Sequence, residues 1–297
     1  MKKIIFVLLL AMTSMAFAEW PTKSVTIVVP APAGGLSDSL ARTMLPELEK
    51  QLGVTVVVKN IPGGNYLVAA RRLTGNPNDN HTFLLNDAVW AAGTYFIDTN
   101  TAKQFKTVNM FAQSPMCLGS KFTITKEDFL KISQSKAQAN VAVNGTNSVH
   151  WRWITNVGTG ISWTEISYAG SAPIVAAVAG NQVDFSVLSI GAYRSMMDAN
   201  KIRCQMVSTV KRNPNFPDVP TFRELGFKGT PGTQWFGFIT RNDTTDEATQ
   251  YFSAAVARVI KDGYNLDRHK KNGLVFEHVS TKEATDFFNM EITKFSK

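Results

Sequence analysis

The sequence predicts an α/β fold in which mostly parallel sheets are flanked by helices. Strand-like and helical segments alternate along nearly the whole chain, a pattern typical of parallel sheets. A length of 297 residues is sufficient for roughly two domains of about 150 residues each. Glycine-rich turns follow several of the strand-like segments, where open α/β sheets place their ligands.

The first 18 residues have the pattern of a secretory signal peptide. Lys2 and Lys3 precede a short apolar run over residues 4–12, and the small residues Ala16 and Ala18 flank a cleavage position. We therefore expect cleavage after Ala18 and export to the periplasm; the alternative is an uncleaved N-terminal anchor. No cysteine stands at the start of the mature chain, so a lipid anchor is not indicated.

The remaining chain carries a modest positive charge without a nucleic-acid-binding pattern. Of the formal charge of +8, two units belong to Lys2 and Lys3. Basic residues are scattered and no basic stripe is interleaved with aromatic residues, which argues against a nucleic-acid partner. No later segment reaches 18 consecutive apolar residues, so we expect no membrane-spanning helix.

Taken in order, the first third begins with a strand at residues 25–29 and a helix at 37–52 that Gly53 ends. A strand at 54–58, a helix at 66–73 and a strand at 81–85 follow. Further strand-like segments lie at 107–111, 116–121, 139–143, 165–168, 183–188 and 202–207.

The last third begins with a proline-rich segment at 213–220, which we interpret as a return crossing between domains. Thr244 and Glu247 have the spacing of a capping box, and apolar residues recur at helical spacing from there to Gly263. A strand at 274–279 and a helix from residue 281 complete the chain.

Four loops have the character of anion sites: residues 33–38, 61–65, 144–148 and 168–173. Each follows a predicted strand and precedes a helix, where unpaired backbone N–H groups favour a carboxylate or a phosphate. Ordinary turn and cap chemistry explains any one of them equally well. Four such loops in one α/β chain favour a binding site.

Several single residues carry two interpretations each. Asp38 either caps its helix, or it orders waters and accepts a hydrogen bond from a ligand amine. His150 either contacts an acidic group or packs at the start of a helix. Cys117 and Cys204 either form a disulfide or remain buried thiols.

The four histidines lack metal-ligand spacing, so we expect neither a metal nor a cofactor. Known catalytic motifs are absent from the sequence, so we expect no enzyme activity and no catalytic residues.

Several motifs in order resemble the periplasmic solute-binding receptors of tripartite tricarboxylate transporters, the group that includes the citrate and Bug receptors. The resemblance covers almost all of the mature chain. The segments that carry it are Trp20-Pro21 with the strand at 25–30, A-G-G-x-S-D-x-x-A-R at 33–42, N-x-P-G-G-N at 60–65, Y-x-G-S-A-P at 168–173, G-x-Q-V-D at 180–184 and V-P-T-F-x-E-L-G at 219–226.

The resemblance implies a two-domain clamp with two crossover strands at its hinge. One domain would combine residues 19–114 with 209–297, and the other would be residues 115–208. Such a receptor is a monomer that captures a small carboxylate between its domains and delivers it to the permease subunits of the transporter. A periplasmic enzyme that uses the loops as an oxyanion site, or a ligand sensor for a membrane partner, are the alternatives.

In this family, two loops of the first domain hold one carboxylate through amides and ordered water. Here that role falls to residues 34–38 and 63–65, although the second loop is shorter than usual and Asn144–His150 departs from the family's G-S-x-G-x-G-S. The scarcity of Arg and Lys in the loops favours amides and hydroxyls over ion pairs, and the class of carboxylate stays open. The predicted ligand-binding residues are Ala33, Gly34, Gly35, Ser37, Asp38, Gly63, Gly64, Asn65, Asn86, Asn147, Ser148, His150, Ala169, Gly170 and Asp184.

Overall fold

A computed structural model describes residues 20–88, 90, 95–145, 148–229, 232–263 and 265–295. The predicted signal peptide and Asn147 lie outside these residues. The strands are β1 (Val25–Val29), β2 (Val56–Asn60), β3 (Thr82–Asp87), β4 (Phe105–Lys121), β5 (Gln138–Asn144), β6 (Ser162–Tyr168), β7 (Phe185–Ser189), β8 (Ile202–Val207), β9 (Thr233–Arg241) and β10 (Val275–Val279). The helices are α1 (Leu36–Leu52), α2 (Leu67–Thr74), α3 (Tyr95–Ile97), α4 (Thr99–Ala102), α5 (Lys126–Gln134), α6 (Val149–Asn156), α7 (Ser171–Ala179), α8 (Arg194–Asp198), α9 (Asp246–Asp262), α10 (Asp267–Lys271) and α11 (Thr281–Phe295).

The first sheet is built around β1. This strand pairs in parallel with β2 on one side and with β3 on the other, while β9, β4 and β10 continue the sheet with antiparallel pairs. Leu40, Met44 and Leu48 of α1 are fully buried in the apolar cluster that contains the inward side chains of β1. Gly53 ends α1 with a φ of 70°, a left-handed conformation that glycine adopts without strain.

The second sheet is centred on β5, which pairs in parallel with β6 and β7. The far half of β4 pairs antiparallel with β7 and β8. Cys117 of β4 and Cys204 of β8 form a disulfide within this sheet, with Cα atoms 5.8 Å apart. The bond therefore joins two neighbouring strands of one sheet.

Strand β4 connects the two sheets. Its residues through Pro115 pair with β9 in the first sheet, and those from Met116 pair with β7 in the second. The sequence predicted two strands here, which was wrong because the polar residues Gln113 and Ser114 continue the pairing with β9. Because β4 leaves the first sheet and β9 returns to it, the two strands run in opposite directions.

Two predicted details of the fold need correction. Each sheet mixes parallel and antiparallel pairs rather than being mostly parallel, because β4 and β9 pair antiparallel with their neighbours. At α9, Thr245 is the cap and accepts a hydrogen bond from the Ala248 amide, so the predicted capping box from Thr244 to Glu247 was wrong. Glu247 instead accepts a hydrogen bond from the Trp20 amide at 3.2 Å.

Domain boundaries at residues 115 and 209 stay a prediction, although β4 changes sheets at Pro115. The return path runs close beside this point, where the Ser208 amide donates to the Met116 carbonyl at 2.9 Å. In the described part of the chain, no helix is both long and apolar enough to cross a membrane.

Candidate functional site

The predicted anion loops after β2, β5 and β6, together with residues 30–32 after β1, line a cleft between the two sheets. They follow the carboxyl ends of the parallel strands β1, β2, β5 and β6, so the topology brings them to facing edges. The cleft has a volume of about 550 Å³. Its first wall consists of residues 30–32 and 62–67 with Ile97, and its second wall of residues 144–145 and 167–170.

Five of the predicted ligand-binding residues line this cleft. Gly63, Gly64 and Asn65 contribute to the first wall, and Ala169 and Gly170 to the second. Their role in binding stays a prediction, but they line one cavity from its two sides, as a shared binding site requires.

Asp38 fixes the loop after β1. One carboxylate oxygen accepts the Gly34 amide at 2.9 Å, and the other accepts Arg42 Nε and Asn60 Nδ2, each at 2.9 Å. Burial raises the pKa of Asp38, but hydrogen bonds from Arg42, Gly34 and Asn60 outweigh it and hold the pKa below its ordinary value. Asn60 also donates to the Ala31 carbonyl at 3.1 Å, so these side chains connect the loops after β1 and β2.

The loop after β2 is shaped by its backbone. Four consecutive residues have positive φ: Gly63 at 123°, Gly64 at 56°, Asn65 at 49° and Tyr66 at 75°. Glycine tolerates the first two values, whereas Tyr66 requires its surroundings to hold it there. Successive amides in such a turn form a concave anion-binding surface.

Tyr66 connects this loop to both walls. Its buried hydroxyl donates to Asp87 Oδ2 at 2.6 Å, and the side chains of Asn144 and Ser37 also interact with it. Burial, together with the negative charge of Asp87, raises the pKa of Tyr66 well above its ordinary value, so the hydroxyl stays protonated. Asn144 is the last residue of β5 in the second sheet, so its interaction with Tyr66 connects the two walls of the cleft.

Sequence reasoning did not assign Tyr66 to the site. The only signal available was its position directly after the Gly-Gly-Asn turn. Its left-handed backbone, which is rare for an aromatic residue, is not visible in the sequence.

The segment after β5 holds Ser148 and His150. Ser148 Oγ accepts the Trp151 amide at 3.4 Å and caps α6. His150 is 1% exposed, and burial lowers its pKa to about 4 despite interactions with the Gln234 side chain and the Asn144 backbone. Its imidazole is therefore neutral near pH 7, and the structure favours the interpretation of a packed helix start.

The two walls touch at one edge of the cleft. A Cβ atom on Gly170, whose φ is 110°, would lie 2.9 Å from Pro32 Cδ. Next to this contact, the Leu36 amide donates to Ser171 Oγ at 3.4 Å. The cleft is therefore closed at this edge, where glycine at position 170 permits the approach of Pro32.

A second cavity of about 500 Å³ lies beyond this contact. It is lined by the predicted residues Gly34 and Gly35 and by charged side chains, including Arg194. The Arg194 guanidinium forms a 3.0 Å ion pair with Asp198. The two loops of the first wall thus border different cavities, with the residues after Pro32 facing the charged one.

The remaining predicted residues lie away from the cleft cavity. Asn86 is buried beside Asn109 and Trp235 under α11. Asp184 directly precedes β7, at the end of that strand opposite to the cleft, and its carboxylate accepts the Asn140 amide at 2.8 Å. Ala33 is exposed in the turn between the cavities, and Ser37 is buried at the start of α1. Within the described ranges, no group of three or more potential metal ligands occurs.

Comparison with known proteins identifies relatives over most of the chain. Residues 40–295 match the family described as the tripartite tricarboxylate transporter family receptor. A protein from the tcbD-tcbE intergenic region of a Pseudomonas species is 23% identical over 94% of this chain and 86% of its own length. Protein BugT of Bordetella pertussis is 26% identical over 76% of this chain and 72% of its own length.

Solved structures show the same architecture. MatC from Rhodopseudomonas palustris with bound malate has a TM-score of 0.84 and 23% identity, covering 93% of this chain and 98% of its own. Rpa4515 of R. palustris with adipate has a TM-score of 0.86 and 24% identity, covering 94% and 96%. The predicted two-domain binding-protein fold is thereby confirmed. The match over residues 40–295 also confirms the predicted family, and the chain belongs to the tripartite tricarboxylate transporter receptors.

Proposed function

We propose that this protein captures a small carboxylate in the cleft between its two sheets and delivers it to the permease subunits of a tripartite transporter. The observation that carries the proposal is the closed cleft, in which the left-handed turn at residues 63–66 faces residues 168–170. The turn would present backbone amides to an anion, and the Pro32–Gly170 contact closes one edge of the cleft beside it.

The known relatives support the carboxylate and the transporter. Malate is bound in MatC and adipate in Rpa4515, and both ligands are carboxylates. The family description names a transporter receptor, which supports the permease as partner. Periplasmic export, a monomeric state and binding without catalysis complete the proposal.

Binding would follow from hydrogen bonds that water cannot replace once the cleft is closed. On the first wall, the amides of Gly63 and Gly64 would donate to the ligand, because the Tyr66 amide already donates to the Gly63 carbonyl at 3.1 Å and the Tyr66 hydroxyl donates to Asp87. Asn144 offers an amide on the second wall. A ligand that contacts both walls stabilises the closed form, because only there are all of these groups within reach.

Thermal unfolding of residues 19–297 with carboxylates and their matched primary amides tests this function. A ligand at a hundredfold excess over its Kd stabilises the folded protein by about 2.7 kcal/mol. We expect stabilisation by at least one carboxylate and none by the corresponding amide. Equal stabilisation by acid and amide would contradict carboxylate recognition. Unchanged uptake of that ligand in cells without the permease would contradict the transporter role.

A further inference from the structure

We propose that Ser208, assisted by a contact between Ser114 and Ser189, is the positioning residue that limits rotation of the two sheets relative to each other. We call the place where β4 and the return path pass between the sheets the hinge. The inference goes beyond the proposed function, because it concerns the hinge and requires no ligand.

Ser208 lies where the two passes of the chain between the sheets meet. It directly follows β8 and is completely buried. Strand β4 begins its pairing in the second sheet at Met116. Gly232 directly precedes β9, whose first residue pairs with Pro115 in the first sheet. Ser208 therefore stands beside strands of both sheets.

The hydroxyl and the backbone of Ser208 bind both passes. Ser208 Oγ accepts a hydrogen bond from the Met116 amide at 2.8 Å and donates one to the Gly232 carbonyl. The Ser208 amide donates to the Met116 carbonyl at 2.9 Å, and the Ser208 carbonyl accepts the Gly232 amide at 3.3 Å. Because a hydroxyl donates and accepts at the same time, this side chain joins the backbones of the two passes directly.

Rotation of one sheet relative to the other must change these contacts. The Met116 amide belongs to a strand of the second sheet, whereas the Gly232 carbonyl is attached to β9 of the first. If the two groups moved apart, Ser208 Oγ could not reach both, and a buried polar group without its partner costs free energy. Ser208 therefore opposes rotation away from the arrangement described here.

The disulfide holds Ser208 in this place. Cys117 directly follows Met116 on β4, and Cys204 lies on β8, the strand that ends just before Ser208. The covalent bond and the antiparallel pairing of the two strands keep β8 beside β4. Bending must therefore occur on the side of Ser208 that faces the first sheet, at its hydrogen bonds to Gly232.

The contact between Ser114 and Ser189 crosses the same place. Ser114 still pairs with β9 in the first sheet, whereas Ser189 is the last residue of β7 in the second. Ser189 Oγ donates to Ser114 Oγ at 2.7 Å, and both residues are buried. It is a single hydrogen bond, so we expect it to restrain the rotation less than Ser208 does.

Spin labels on the two sides of the hinge measure the rotation without a ligand. Gln250 on α9 and Ala176 on α7 are exposed, and their helices pack in the apolar clusters of the first and the second sheet. Cysteines introduced at these two positions can be labelled selectively, because the native cysteines form a disulfide. In residues 19–297 with both labels, we expect Ser208→Ala to broaden the distribution of distances between the labels about twofold, measured by double electron–electron resonance.

Ser120→Ala is the matched control. Ser120 is also completely buried, and its Oγ accepts Gln205 Nε2 at 2.8 Å and donates to the Lys121 carbonyl at 3.1 Å. Its hydrogen bonds thus join β8 to β4 within the second sheet alone. We expect Ser120→Ala to lower the midpoint of urea denaturation about as much as Ser208→Ala, yet to keep the native distribution of distances. Equal broadening in the two variants would assign the effect to lost stability and overturn the proposal.

Ser189→Ala provides a second variant in case Ser208→Ala does not fold. It removes the contact with Ser114 and leaves Ser208 in place, so we expect a smaller broadening of the same distribution. A native width in Ser208→Ala would overturn the proposal, and so would a native width in Ser189→Ala if only that variant folds. Because no ligand is present, either result would leave carboxylate capture unaffected.

Discussion

The two walls of the cleft are held in place by different chemistry. On the first wall, the Asp38 carboxylate ties together the Gly34 amide, Arg42 and Asn60. On the second wall, the helix start after β5 is held by the Ser148 cap and by buried His150. The first wall therefore depends on a charge and the second on a neutral imidazole.

This difference predicts different responses to mutation and to pH. A buried carboxylate with several hydrogen bonds is costly to remove, because its donors lose their partner. A buried neutral histidine does not lower the stability of the folded protein near pH 7. In acid it does, because burial disfavours the protonated imidazole. The first wall should therefore be sensitive to loss of the Asp38 carboxylate and the second wall to acid, so the two contributions to stability can be measured separately.

The largest expected effect is on the first wall. Asp38→Ala leaves the Arg42 guanidinium and the Gly34 amide without their acceptor, and we expect a loss of about 2–3 kcal/mol in the free energy of unfolding. Urea denaturation at pH 7 measures it. Asp128→Ala is the control, because Asp128 makes similar hydrogen bonds in the exposed capping box of α5. Equal losses in the two variants would show that Asp38 is only a local cap.

The second wall should respond to mild acid. Burial lowers the pKa of His150 to about 4, below the ordinary value of 6.5. Between these values the unfolded chain binds a proton that the folded protein excludes, so stability falls as pH decreases from about 6.5 towards 4. We expect this group to contribute a loss of about 2 kcal/mol between pH 7 and pH 5.

The variant His150→Gln isolates that contribution. Glutamine does not titrate, so the free energy of unfolding of this variant should change less between pH 7 and pH 5 than that of the native protein. Other histidines, including His269, titrate in both proteins and cancel in the difference. Identical pH profiles would show that His150 is not held neutral by the second wall.

The contact between the walls should have the next largest effect. In Gly170→Ala, the new methyl group would meet Pro32 Cδ at 2.9 Å in the closed cleft, and we expect ligand affinity to fall about tenfold. Gly226→Ala is the matched control: Gly226 also has positive φ, but its added Cβ would have no heavy atom within 4 Å. Similar affinity losses in both variants would implicate backbone strain rather than closure.

Much of this arrangement could be predicted from the sequence. Alternating strands and helices predicted the α/β class, and the glycine-rich turns after β2, β5 and β6 predicted three loops that line the cleft. The continuity of β4 could not be predicted, because Gln113, Ser114 and Pro115 look like a break in sequence and pair only through β9. Long-range pairing overrides local preference at that point.

The detailed site was less predictable than its loops. Glycine at 63 and 64 predicted a turn, but the backbone of Tyr66 depends on tertiary contacts such as its hydrogen bond to Asp87. From the family resemblance, we also expected the loops after β1 and β2 to hold one carboxylate together. In the structure, Pro32 contacts Gly170 between them, so Gly34 and Gly35 face the charged cavity instead.

The smallest expected effect distinguishes a cap in the site from a cap elsewhere. Ser148 caps α6 and Thr245 caps α9, and each hydroxyl accepts a hydrogen bond from the backbone amide three residues later. Replacing either by alanine should cost about 1 kcal/mol of stability. Only Ser148→Ala should also weaken ligand binding, by a few-fold, because only its helix start adjoins the second wall. Calorimetry with the carboxylate that stabilises the protein most in thermal unfolding, alongside urea denaturation, measures both quantities. An equal affinity loss in Thr245→Ala would mean that global stability, rather than the second wall, sets the affinity.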